Sequence, residues 1–120
     1  MTNEQIFSMC EREFSPKVTM DQLMSGSTSV KEFMSWGIDQ RISVLTNEEN
    51  ESIGMILKMD NERYSDLVMI TLSWDDTYRI RFFNQDFEMS KDIEGIYCEQ
   101  LFEVINNTMN SIMKVEFSLN

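Results

Sequence analysis

From residue 41 to residue 83 the apolar residues recur at every second position. Ile53, Met55, Leu57 and Met59 alternate with Ser52, Gly54, Ile56 and Lys58, and Val68, Ile70, Leu72 and Trp74 alternate with Leu67, Met69, Thr71 and Ser73. Tyr78, Ile80 and Phe82 likewise alternate with Thr77, Arg79 and Arg81, while Ile42 and Val44 begin the pattern. Successive side chains on a strand point to opposite faces, so each segment reads as a strand with one face turned to a core. The connectors 47–51, 60–63 and 75–76 are short and polar, as hairpin turns require. Parallel strands would need crossovers of about a dozen residues, which this spacing does not contain. The segment therefore predicts a four-stranded antiparallel β-meander.

On either side the period returns to that of a helix. Thr2 and Gln5 have the spacing of a capping box, and Ile6, Met9, Cys10 and Phe14 follow at helical intervals until Ser15-Pro16, which should end the helix. Thr19 with Gln22, closed by Gly26, predicts a second short helix. Ser29 with Glu32 predicts a third, with Val30, Phe33, Met34 and Trp36 on one side and Gly37 as its cap. After a polar, acidic stretch at 84–94, Ile96, Leu101, Val104, Ile105, Met109 and Ile112 predict the longest helix, capped by Ser90 or Asp92. The tail 113–119 alternates again, so it either adds a fifth, C-terminal strand or frays from the helix.

These elements make a single α+β domain over residues 1–120, with short N-terminal helices, the meander and a long C-terminal helix. That helix should pack on the sheet face carrying Ile53, Met55, Leu57, Val68, Ile70, Leu72, Tyr78, Ile80 and Phe82. The opposite face mixes Leu45, Ile56, Leu67, Met69 and Phe83 with Lys58, Thr71, Arg79 and Arg81. It is too apolar to stand free in water, so either the N-terminal helices cover it or those five residues form a self-association surface in a homodimer.

Charge narrows the function. Asp and Glu outnumber Lys and Arg by 21 to 10, and histidine is absent. The excess repels nucleic acid and acidic bilayers, and the missing imidazole removes the side chain most used for proton transfer near neutral pH. No Gly-x-Ser-x-Gly elbow or phosphate-cradling glycine loop occurs. A calcium loop through Asp86, Glu88, Ser90 and Asp92 would need a glycine where Lys91 stands and a glutamate where Tyr97 stands. The adjacent pairs Asp75-Asp76 and Glu48-Glu49 suit solvated turns better than facing catalytic carboxylates. No metal or cofactor is expected.

Cys10 and Cys98 follow no metal or redox spacing and read as reduced core thiols. With no signal-like start and no apolar run of about eighteen residues, the expectation is a cytoplasmic protein without a membrane partner. The expected role is that of a small, non-enzymatic protein-interaction module that docks on a basic site of another protein. Inhibitor, immunity and anti-defence proteins are the class such acidic domains suggest. The candidate docking residues are Glu48, Glu49, Glu51, Asp75, Asp76, Asp86, Glu88, Asp92 and Glu94, the last two at the front of the final helix. A homo-oligomeric structural domain is the alternative, and a carboxylate- or lysine-based enzyme a more distant one.

Overall fold

A computed structural model describes residues 2–26, 34–38, 42–60, 66–84 and 86–118, with side chains described as far as residue 111. The chain is α+β. Helices α1 (Asn3–Ser8) and α2 (Pro16–Gly26) precede strands β1 (Ile42–Thr46), β2 (Ser52–Lys58), β3 (Leu67–Leu72), β4 (Tyr78–Phe83) and β5 (Met89–Ile96). A 3-10 turn (Cys98–Gln100) then leads into helix α3 (Leu101–Ser118). The five strands form one antiparallel sheet in sequential order. The capping start at Ser29 and Glu32, with Val30 and Phe33, lies outside the described residues.

Three expectations need correction. The fifth strand is not the C-terminal tail, whose backbone continues α3 to Ser118, but the acidic stretch in front of the helix. Ser90 and Asp92 therefore lie in β5, and the 3-10 turn begins the last helical segment. An edge strand meets water on more than one side, so Lys91, Asp92 and Glu94 can line it without the alternation a half-buried strand shows.

The first helix, secondly, closes at Ser8, well before Phe14. Its predicted capping box is present: the Gln5 N–H donates to Thr2 Oγ1 at 3.2 Å, and the Thr2 N–H donates to Gln5 Oε1 at 2.8 Å. Pro16 opens α2 instead of ending α1. Its fixed φ suits a first helical position, and Ser15 caps the helix by accepting from the Val18 N–H at 3.3 Å. Thirdly, Cys98 is exposed and Cys10 half-buried, and both thiols are free, so neither is a fully buried core thiol.

Residues 10–15 join the two sides of the sheet. The β2–β3 ladder stops at Met55 opposite Ile70, and beyond it the N-terminal segment takes the place of a strand. Arg12 bridges Leu72, and the Phe14 N–H donates to the Ser52 carbonyl at 2.9 Å. The segment's start thus sits on one face and α2 on the other. Cys10 Sγ packs over Gly54 beside Leu45 and Thr71, so closely that a methyl on Gly54 would lie 3.0 Å from the sulfur. On the second side, Thr19 of α2 reaches Tyr78, with Oγ1 2.9 Å from the phenol oxygen.

The predicted core face is buried except at Ile53 and Leu72, which are half-buried. Met55, Leu57, Val68, Ile70, Tyr78, Ile80 and Phe82 join Leu23 of α2 and Leu101, Phe102, Ile105 and Met109 of α3. Each such side chain contributes about 1.5–3 kcal/mol before ordering entropy is subtracted. Trp36 stacks on Phe102 with centroids 4.8 Å apart, and its indole N–H donates to Asn106 Oδ1 at 3.1 Å. The other face is also largely closed: Met69 is 1% exposed and Phe83 3%, while Leu45, Ile56 and Leu67 are half-buried. The apolar patch that suggested self-association is smaller than the sequence implied.

Candidate functional site

Three hairpins share one local design. In the β1–β2 turn the Asn47 N–H donates to the Glu51 carbonyl at 3.0 Å, the Asn50 N–H to the Asn47 carbonyl at 3.1 Å, and Asn50 is left-handed at φ 61°. Ser73 to Thr77, with Asp76 at φ 66°, and Asn84 to Glu88, with Phe87 at φ 60°, repeat that arrangement. Each is a three-residue loop whose last residue is left-handed, a form that tightens the twist between strands. Side chains lock it. Asn47 Oδ1 accepts from the Glu49 and Glu51 N–H groups at 3.0 and 2.9 Å. Asp75 Oδ1 accepts from the Thr77 hydroxyl at 2.6 Å and from its N–H at 3.1 Å. These bonds hold the exposed Asp75 carboxyl below its usual pKa, the hydroxyl bond first and the backbone bond second.

The meander sorts the candidate acids into two places. Successive hairpins in an antiparallel sheet lie at alternate ends, so Glu48, Glu49 and Glu51 share an end with Asp75 and Asp76, while Asp86 and Glu88 lie at the opposite end. Asp92 and Glu94 lie on β5, not at the front of a helix, and both are engaged. Arg79 donates from Nε and Nη2 to the two Asp92 oxygens at 2.8 and 2.6 Å, and its Nη1 lies 2.8 Å from Glu94 Oε1. Asp76 pairs with Arg12, which ties the β3–β4 hairpin to the N-terminal segment.

At the end that holds Asp75 an open groove of about 470 Å³ runs between the N-terminal segment, the β3–β4 hairpin and β5. Met9 and Glu11 form one wall, Trp74 and Asp75 another, and Glu94 a third, with Arg79 and Arg81 beneath. Trp74 is not on the inward face of β3, as the alternation implied. The strand ends at Leu72, and the indole stands 70% exposed on the hairpin. Arg81 is buried at 4% exposure, and its Nη1 donates to Thr71 Oγ1 at 3.3 Å. Burial lowers its pKa, and Arg79 alongside adds to that. Burial also lifts the nearby Cys10 thiol, against the pull of Arg81.

Chemically, the groove offers fixed carboxylates at its rim, an aromatic surface and a guanidinium at its floor. Sequence reasoning missed Glu11, Trp74 and Arg81 as a group. The signal for Trp74 lay in the turn residues Asp75-Asp76 directly after it. Nothing local distinguishes Arg81 from Arg79, since Arg81 is the residue directly opposite Asp92, yet the Asp92 carboxylate turns diagonally to Arg79.

The Asp92–Arg79 pair makes a test of this geometry. The Arg79 hydrogen bond, ahead of the opposing effect of burial, holds the Asp92 carboxyl below its unfolded value of about 3.9. A depressed folded pKa stabilises fully above the unfolded pKa, and the gain is lost as pH falls through the folded one. Asp92→Asn should therefore cost about 1 kcal/mol at pH 7, allowing for partial exposure. Urea denaturation at pH 7, 5 and 3 should show that difference hold between pH 7 and 5 and shrink by pH 3. An equal difference at all three would mean the bridge contributes nothing.

Among the described residues no helix is long and apolar enough to cross a membrane, and no cluster of three Cys, Asp or Glu side chains is arranged to hold a metal ion. Comparison of the chain with protein-family models, with curated proteins and with solved structures finds no match.

Proposed function

We propose that this chain is a small acidic protein-interaction module whose hairpin end docks on a basic site of another protein, as inhibitor or immunity proteins do. The observation that carries the reading is Trp74, exposed at 70% beside Asp75 and Asp76, at the end of the sheet that also holds Glu48, Glu49 and Glu51. A large aromatic left in water on a hairpin locked by its neighbours is an anchor for an interface, since tryptophan is among the residues that most often dominate binding energy. Its face also attracts a lysine or arginine of the partner. The acids around it steer a basic surface toward the end of the sheet and set the rate of encounter. Asp86 and Glu88 stand at the far end and take no part in this contact. The two loads are separate: Trp74 gives affinity, and the carboxylates give rate.

That division sets the experiment. A partner recovered by cross-linking in native-cell extract should lose about 30-fold or more in affinity to Trp74→Ala, a hot-spot loss, with the far-ultraviolet circular dichroism unchanged because the indole is exposed. Glu48→Gln with Glu49→Gln should slow association at low salt and converge with wild type at high salt. A partner bound equally well by Trp74→Ala, at a rate indifferent to salt, would remove this reading.

A further inference from the structure

Arg81 is the group that the docking surface does not use. A guanidinium carries five N–H donors, and among the described residues the hydrogen bond to Thr71 is the one this side chain makes. Its neighbour Arg79 is nearer the surface and holds both carboxylates within reach. The direct ion pairs go to the more exposed cation, and Asp92 and Glu11 act on the buried one only through their charge. A buried charge without a hydrogen-bonded counter-charge is costly, and unmet buried donors call for something to meet them. Arg81 also lines the groove, at 4% exposure, so a ligand that enters it comes up against this residue.

The walls define what would enter. An anion is attracted to Arg81, but Glu11, Asp75 and Glu94 at the rim repel any ligand with charge to spare, which disfavours nucleotides and other polyanions. The same rim acids and the face of Trp74 favour a cation. One small molecule satisfies both ends. We propose that the groove binds a zwitterionic amino acid, with its carboxylate on the Arg81 guanidinium and its ammonium group between Glu11, Glu94 and Trp74. A volume of about 470 Å³ lies within the range of small-molecule sites. The proposal does not depend on the docking reading, because it needs no partner protein.

The test is titration of the full-length chain by nuclear magnetic resonance, following the Arg81 Nε–H and the Trp74 indole N–H. The probes are glycine, L-lysine and 4-aminobutyrate, with acetate and methylammonium as single-charge controls. At least one zwitterion should give saturable shifts at both reporters, and each control should bind at least about tenfold more weakly. Arg81→Met should lose about 10- to 100-fold in affinity for that zwitterion, while its melting temperature without ligand stays level or rises, because a buried charge with no hydrogen-bonded carboxylate has been removed. Glu11→Gln, at an exposed position, should weaken the zwitterion and leave acetate unchanged. Three results would each overturn the proposal: no saturable shift from any zwitterion, full binding by Arg81→Met, or full zwitterion binding by Glu11→Gln. If Arg81→Met does not fold, the wild-type titration and Glu11→Gln still decide.

Discussion

Gly37→Ala is expected to destabilise the folded chain by about 3–5 kcal/mol, a large part of the roughly 5–15 kcal/mol that separates folded from unfolded proteins. Gly37 has φ 73°, a left-handed conformation that costs an alanine about 1–2 kcal/mol. Space adds the rest. A Cβ at this position would overlap the Asp60 carbonyl oxygen and stand 2.7 Å from its carbon, and backbone cannot swing aside as a side chain would. Relief requires the turn or the β2 end to move. The turn carries Trp36 and Ile38, both buried, and Trp36 is stacked on Phe102 and bonded to Asn106. Movement would therefore open the seat of α3. Urea denaturation at pH 7 reads the effect, and a loss under about 1 kcal/mol would show that the turn relaxes freely.

The left-handed residues also explain which parts of the fold the sequence discloses. Asn47 to Asn50 and Asp75-Asp76 carry residues that tolerate positive φ and bond to their own backbone, so the β1–β2 and β3–β4 hairpins are legible. The hairpin after β4 uses Phe87 at that position, a residue with no such tolerance, and leads into a charged edge strand. Both usual signals are missing there. One remained: Asn84 and Glu88 repeat the spacing of Asn47 and Glu51, and in both pairs the asparagine Nδ2 donates to the glutamate carboxylate, at 3.3 and 3.0 Å. Pro16 was misleading for a related reason, since proline ends one helix and begins another with equal ease.

The site is less legible than the sheet. A hairpin turn depends on neighbours in sequence, whereas the groove collects Met9 and Glu11, Trp74 and Asp75, and Glu94 from segments that meet through the N-terminal chain beside β3. Alternation correctly places Arg79 and Arg81 on one face. Which of them receives the carboxylates depends on the side-chain reach across β4 and β5, and that is a property of the register shift between Tyr78 and Ile80, where Gly95 has φ 68°.

Phe83→Ala is expected to cost about 3–5 kcal/mol, close to the cost of Phe82→Ala. Adjacent residues of a strand face opposite ways, so a sheet with one wet side would bury Phe82 and leave Phe83 exposed. Here they are 0% and 3% exposed, which makes both faces of β4 interior within one chain. The loss at Phe83 should then be unimolecular. Urea midpoints measured at two protein concentrations about a hundredfold apart should coincide for wild type and for Phe83→Ala, with the same displacement between them at each. A face reserved for a second copy behaves otherwise: wild type would gain stability with concentration, and Phe83→Ala would remove that gain while changing little in dilute solution. Raising the salt sharpens the contrast, because it screens the repulsion between chains of net charge −11 and leaves an apolar contact intact. Coincident midpoints at low and high salt would assign Met69 and Phe83 to the core of a single chain.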